Sequence, residues 1–379
     1  MLLLARKNLF SERTRLIISV GGVALSVFLI SLLLALFRGW SEKVGGFVED
    51  SPVDVWVGTV GTNDFLTAAS IIPVANASAI DDAPQVDEWS PVIVRPLIGS
   101  AVEVNDEGEK GSGKEVDLHL IGYDTATGIG GPVEVIDGSD APGPDEVIVD
   151  KAVRKRFGVD VGDIIEAGGR DWRIVGISDG GDFVGSQTAF VTLADAQAAF
   201  QMEGLSTFIA MRVTAETDAE SFARQIEGAQ PGLKAFTREE FAEQTREQVL
   251  GDVLPILTII LVLAFIVGLA VAGLTIYTAT IEKAREYGIL KAVGFKNRYL
   301  YRLVFEQSLV TGALGFIIGL GLTILFGPFA ADIAPQFVTF VRWQDVLAVF
   351  VATVFMAMLA GYVPVRRLAA IDPTSVFKA

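Results

Sequence analysis

The chain of 379 residues contains no cysteine and only one histidine. Without thiols it forms no disulfides, so any domain it places outside the cytoplasm must be held by its own apolar core. One imidazole with no thiolate or second histidine beside it is too small a ligand set for a transition-metal site, and His119 reads as a residue of the alternating stretch 116–121. Neither G-x-S-x-G nor H-E-x-x-H occurs, so nothing supports hydrolysis and the chain is read as non-catalytic. A complete phosphate-binding loop is missing too. Residues 108–114, GEKGSGK, supply its glycines and lysine, but Glu115 stands where a Ser or Thr should hold magnesium, and a strand pattern follows where the receiving helix should begin. A Gly-rich hairpin is the reading there, and no cofactor or metal is assigned to this chain.

What is present is a pattern of long apolar runs. Residues 16–37, 253–281, 303–331 and 346–365 each approach or exceed the ~20 residues a helix needs to cross a bilayer core. This is an integral membrane protein with four transmembrane α-helices. Between the first and second runs lie roughly 210 residues rich in charge and turn formers, too many for a connector, which must fold as a domain of their own. The first run follows a basic segment, as a signal peptide does, but it is longer than the ~7 to 15 apolar residues of that signal and reads as an anchor.

Charge assigns the sides. Residues 41–250 hold 38 Asp and Glu against 15 Lys and Arg, a net of −23, whereas the rest of the chain holds 8 against 15, a net of +7; together these make the −16 of the whole. Arg6, Lys7, Arg13 and Arg15 precede the first run, Lys283, Arg285, Lys291, Lys296, Arg298 and Arg302 lie between the second and third, and Arg366, Arg367 and Lys378 follow the fourth. The positive-inside rule puts all three segments in the cytoplasm and the acidic block outside. The organisation expected is a basic N-terminal helix (1–15), transmembrane helix 1 (16–38), a large extracytoplasmic α+β domain (39–250), helix 2 (251–281), a cytoplasmic coupling loop (282–302), helix 3 (303–331), a short external loop (332–345), helix 4 (346–365) and a cytoplasmic tail (366–379). Trp40 and Trp343 sit at outer ends of spans, as interfacial anchors do. The acidity argues against nucleic acid or anionic headgroups as partners of the outer block.

Inside that block, residues 53–57, 92–94, 101–104 and 116–121 read as strands, and 146–178 reads as strand, short helix, turn, strand, hairpin at Gly168 and Gly169, strand, a small barrel-like or sandwich module. Residues 193–200 and 219–228 have helical spacing, 208–213 is a strand, and 237–248 is an acidic amphipathic helix leading into the second span. The carboxylates Asp81, Asp82 and those of 137–145 lie among Pro and Gly and read as solvated loops, with weak calcium binding as the alternative.

The most specific stretch is 282–302, EKAREYGILKAVGFKNRYLYR. It reads as a charged helix with an apolar ridge of Ile289, Leu290, Ala292 and Val293, stopped by Gly294. Spacing alone leaves two uses equally open, docking a soluble partner or lying on the headgroups. Tight helix packing is the reading of the small residues Gly268 with Ala272, and Gly315 with Gly319.

Residues Arg285, Glu286, Gly288, Leu290, Lys291, Ala292 and Gly294, with Glu306 in the helix beyond, resemble the R-E-x-G-x-L-K-A-x-G signature of FtsX/MacB-type ABC transporter permeases. The opening LARKNLFSERTRLIISVGGVALSV, the stretch DEVIVDKAVRKRFGVDVGDII and the tail PVRRLAAIDPTSVFK are similar to further segments of that family, in the same order. The resemblance implies a DevC-like permease with a MacB-like periplasmic core domain and no fused ATPase. It implies a plasma (inner) membrane location with both termini inside, and two copies of a soluble ABC ATP-binding subunit docked at the loop on two copies of the permease. ATP and Mg would be bound by that partner. The activity implied is mechanotransmission, either to export or extract a lipid, peptide or amphipathic drug or, alternatively, to activate an envelope hydrolase without transport. Membrane lipid and an envelope adaptor or hydrolase complete the expected partners.

Overall fold

The computed structural model describes residues 13–67, 69–77, 83–105, 107–183, 186–283, 286, 289, 293, 295–333 and 337–369. Arg6, Lys7, Asp81, Asp82 and Lys378 lie outside them. The helices are α1 (Arg13–Asp50), α2 (Lys151–Phe157), α3 (Leu193–Phe200), α4 (Ala219–Ala229), α5 (Arg238–Glu282), α6 (Asn297–Ile333) and α7 (Trp343–Ala369). The strands are β1 (Val55–Thr59), β2 (Ile72–Pro73), β3 (Val86–Val102), β4 (Lys114–Tyr123), β5 (Glu134–Gly138), β6 (Glu146–Asp150), β7 (Ile164–Ala167), β8 (Arg170–Asp179), β9 (Asp182–Phe183), β10 (Ser186–Thr192), β11 (Leu205–Ser206), β12 (Phe208–Val213) and β13 (Leu233–Thr237). The chain divides into two units, Trp40–Val253 and a second made of Met1–Gly39 with Leu254–Ala379.

In the first unit one sheet runs β13-β1-β12-β3-β4-β10-β6-β8-β5, and β7 pairs with both β8 and β3. The strands β3, β4, β10, β6, β8 and β7 therefore close a ring. This six-stranded barrel has parallel pairs at β4 with β10 and β6 with β8, and antiparallel pairs elsewhere. Period-2 alternation sends Leu118, Leu120, Val147, Val149, Ile165, Trp172, Ile174, Ala189 and Val191 into one buried cluster. The stretch 146–178 supplies only half of these strands, so the module read there is completed by β3, β4 and β10.

The sequence reading of two short strands at 92–94 and 101–104 is corrected, because β3 is one strand of 17 residues. Pro91 and Pro96 argue against a long strand, since proline belongs on a sheet edge. Both sit where β3 has a partner on one side only: pairing with β12 ends at Val92, pairing with β4 spans Ile93 to Ala101, and pairing with β7 begins at Gly99. At Gly99 an added Cβ would lie 2.7 Å from the Glu166 carbonyl, so the crossing onto β7 requires glycine.

Beyond β3 the sheet continues as β12, β1 and β13 with a core on each face. Val55, Val57, Ile209, Met211 and Ala235 pack with Phe222, Ala223 and Ile226 of α4. The opposite face buries Trp56, Phe208 and Phe236 with Phe47 of α1 and Phe241 of α5. Phe65 stacks on Phe208 at 5.5 Å, and Phe236 on Phe241 at 4.9 Å. Helix α5 opens with a reciprocal cap: Thr237 N–H donates to Glu240 Oε2 at 3.1 Å and Glu240 N–H to Thr237 Oγ1 at 3.2 Å.

The second unit holds the four transmembrane helices. Stretches Ile17–Asp50, Val253–Glu282, Tyr301–Ala330 and Trp343–Tyr362 are long and apolar enough to cross a membrane. Both α1 and α5 extend past the spans read from hydropathy, because their outer turns are polar on one side and belong to the first unit. In the membrane unit Val23, Val27, Ala264, Ala272, Ile276, Val304, Val349, Met356 and Ala360 form the core.

Candidate functional site

The loop between α5 and α6 is the first candidate. Arg285, Gly288, Leu290, Lys291, Ala292 and Gly294 lie outside the described residues. Glu286 and Ile289 are helical, and Val293 N–H donates to the Ile289 carbonyl at 3.0 Å. That i, i+4 bond sets Ile289 and Val293 one turn apart on one face, 47% and 73% exposed. Phe295, which the sequence reading passed over, is also exposed, with its ring 4.9 Å from that of Tyr299 in the first turn of α6. Tyr299 N–H donates to the Lys296 carbonyl at 2.9 Å, and Arg302 pairs with Glu306 at 2.8 Å along the helix. Three unburied apolar side chains thus lie beside exposed Lys296, Arg298 and Arg302. An aromatic residue directly after a helix-ending glycine was the signal available for Phe295.

The small residues named from sequence sit at helix crossings. At Gly315 a Cβ would lie 2.5 Å from Val23 Cγ1, and at Gly319 2.6 Å from the Ala24 carbonyl, so both seat α6 against α1. At Gly268 it would lie 2.5 Å from Ser26 Oγ and 2.7 Å from Met356 Sδ. Ala272, one turn further along α5, is 2% exposed. Thr323 Oγ1 adds a hydrogen bond to the Phe28 carbonyl at 3.4 Å.

A second cluster was not anticipated. Arg246 of α5 reaches the outer end of α1: its Nε donates to the Ser41 carbonyl at 2.8 Å, its Nη2 to Glu49 Oε2 at 3.0 Å, and its Nη1 pairs with Glu243 one turn back. Burial alone would lower the guanidinium pKa, but the bonds to Glu243 and Glu49 raise it above its ordinary value. The signal was an arginine among Glu239, Glu240, Glu243 and Glu247. Thr245 Oγ1, fully buried, accepts from Phe65 N–H at 3.1 Å and fixes the same turn of α5 to the domain.

The apparent phosphate loop has other duties. Lys110 Nζ contacts Glu166 at 2.6 Å and Asp171 at 2.7 Å, which raise its pKa, and Lys114 Nζ donates to the Phe157 carbonyl at 2.7 Å. Asp137 pairs with Arg154 at 3.0 Å. His119 is largely buried on β4, and desolvation lowers its pKa while the Asp64 carboxylate opposes the shift.

Comparison with known proteins covers most of the chain. The family described as MacB-like periplasmic core domain matches residues 16–229, and the family described as FtsX-like permease C-terminal matches residues 258–373. A protein of Mycobacterium bovis named as an uncharacterised ABC transporter permease is 24% identical over 100% of this chain and 99% of its own. One of the same description from Methanocaldococcus jannaschii is 26% identical over 58% of each. A probable export ATP-binding/permease protein, MacB of Pseudomonas entomophila, is 22% identical over 96% of this chain, which spans 56% of that longer protein.

Proposed function

This chain belongs to the FtsX/MacB-type ABC transporter permeases, and from that membership we propose that it is the membrane subunit through which a separate ATP-binding subunit drives motion of the α+β domain outside the cell membrane. The observation that carries the reading is the α5–α6 loop, where Ile289, Val293 and Phe295 are exposed at a turn rich in lysine and arginine. A solvated connector has no use for three such side chains, whereas a soluble subunit can bury them. Two ATP-binding subunits then serve two permeases, and ATP with Mg stays in the partner. Both termini and the loop are cytoplasmic, a sidedness that the basic residues flanking the spans support. The cargo is a lipid, peptide or amphipathic drug. The Pseudomonas relative is named as a probable export protein, which supports transport over activation of an envelope hydrolase.

The test is co-purification. Ile289→Asp and Val293→Asp each place an unpaired charge in the contact and should weaken capture of the ATP-binding subunit by roughly 2 kcal/mol. Undiminished capture by both variants would mean that the ridge rests on lipid headgroups instead.

A further inference from the structure

The chain enters and leaves Trp40–Val253 through α1 and α5, so those two helices are the covalent routes by which motion can reach that domain. Each helix is keyed into the same aromatic core. Phe47 of α1 lies 5.3 Å from Phe65, and Phe241 of α5 lies 6.1 Å from the same ring. The two helices also meet at Arg246, which bonds Ser41 and Glu49 of α1. The approach depends on Gly45, where a Cβ would stand 2.8 Å from Arg246 Nη2 and 3.0 Å from the Ala242 carbonyl.

Arg246 fills that approach with all three of its nitrogens. The Nε bond to the Ser41 carbonyl ties it to the backbone of α1, the Nη2 bond ties it to Glu49 two turns further along, and the Nη1 contact with Glu243 holds the side chain down on its own helix. The two grips on α1 are eight residues apart, about 12 Å at 1.5 Å per residue, so they resist sliding and splaying together. A planar fork of donors suits this arrangement, whereas lysine presents a single ammonium and cannot span both acceptors. The guanidinium side chain is only 21% exposed, so water competes weakly for these bonds.

We propose that Arg246 is a positioning residue that clasps α5 to the outer end of α1 across Gly45, so that the two helices shift as one body and the domain receives a single displacement. The inference rests on the transmission reading above and adds the device that keeps the two inputs in register. Two variants separate it from a general loss of fold. Arg246→Lys keeps the charge and the stem but gives up the fork; Gly45→Ala leaves Arg246 intact but pushes a methyl group against the Ala242 carbonyl.

The chain has no native cysteine, so Asp50→Cys and Glu247→Cys accept spin labels without background. Both positions are exposed, one on each helix. In the nucleotide-free complex with its ATP-binding subunit, the distance distribution between these labels should be narrow with Arg246 present. It should broaden at least twofold in Arg246→Gln, Arg246→Lys and Gly45→Ala, while the melting profile of the lysine variant keeps a cooperative transition. An unchanged narrow distribution in all three variants would overturn the clasp. A separate label at Asp140→Cys, read between the two permease copies with and without ATP, tests the transmission reading itself. No ATP-dependent change there would remove that reading while leaving the nucleotide-free result to decide the clasp on its own.

Discussion

Arg38 and Asp345 face each other at 3.1 Å across the outer ends of the first and fourth spans. The guanidinium reaches both carboxylate oxygens, through Nε at 3.1 Å and through Nη2 at 3.2 Å. Close by, Phe340 N–H donates to the Ala35 carbonyl at 2.9 Å, so α1 holds the loop before α7 by backbone and the first turn of α7 by charge. Because the side chains of Arg38 and Asp345 are 35% and 14% exposed, solvent screens the pair only in part. A double-mutant cycle with Arg38→Gln and Asp345→Asn should give a coupling of about 0.2–1 kcal/mol, smaller at high salt. A coupling of zero at low salt would mean that the backbone contact alone ties this end of α7 to α1.

Packing of α6 against α1 makes a sharper demand. Gly315→Leu forces a branched side chain into the space of Val23 and should lower stability by roughly 1–3 kcal/mol, read as earlier thermal aggregation in detergent. Gly321 is in the same helix with nothing within 4 Å of its would-be Cβ, so Gly321→Ala should leave the profile unchanged. Equal behaviour of the two variants would contradict the close seat at Gly315.

Sidedness is open to chemical labelling. A cysteine in place of Asp140 should react with a membrane-impermeant thiol reagent on intact cells, and one in place of Lys296 should react only after the membrane is opened. Labelling of the Lys296→Cys protein from outside would invert the topology drawn from charge.

His119 gives the α+β domain a pH dependence of definite sign. Its folded-state pKa lies below the ordinary 6.5 because burial disfavours the imidazolium. Above 6.5 both folded and unfolded states are neutral there and no penalty arises. As pH falls below 6.5 the unfolded chain takes up a proton before the folded one does, so the folded state loses stability. The drop in melting temperature between about pH 7.5 and about pH 5.5 should therefore be shallower in His119→Gln than in the parent chain. A steeper drop in the variant would show that Asp64 outweighs desolvation.

The parts of this molecule that declare themselves in the sequence are those whose signal is local. Helix α3 follows from the spacing of Leu193–Phe200, and α4 from Phe222 and Ile226 one turn apart on an otherwise polar segment. The four spans follow from apolar length alone. Strand β13 was overlooked because Leu233–Thr237 is only five residues behind Pro231 and Gly232, and because Thr237 signals a helix start. Strand β5 was overlooked because its residues are mostly exposed and give no alternation. Closure of the barrel is a different case: β7 finds β3 across more than 60 residues of chain, and no local pattern encodes that pairing. At the candidate sites, the spacing of Ile289 and Val293, two of the four residues read as a ridge, is local. The grip of Arg246 on Ser41 joins positions 205 residues apart, and an arginine in an acidic helix names no partner.

Strand β3 gives the domain an inheritance problem. It is the wall shared by barrel and sheet, pairing with β12 along its first half and with β4 and β7 along its second. A lineage that deleted residues 103–200 to shorten the domain would remove every other barrel strand and leave the second half of β3 with its N–H and C=O groups unpaired. Such an open edge recruits any passing strand, so truncated chains would be lost to aggregation before selection could act on their activity. Insertions at the hairpin tips cost far less. Relatives of this protein are therefore expected to differ in the lengths of their loops and hardly at all in the number of strands around the ring.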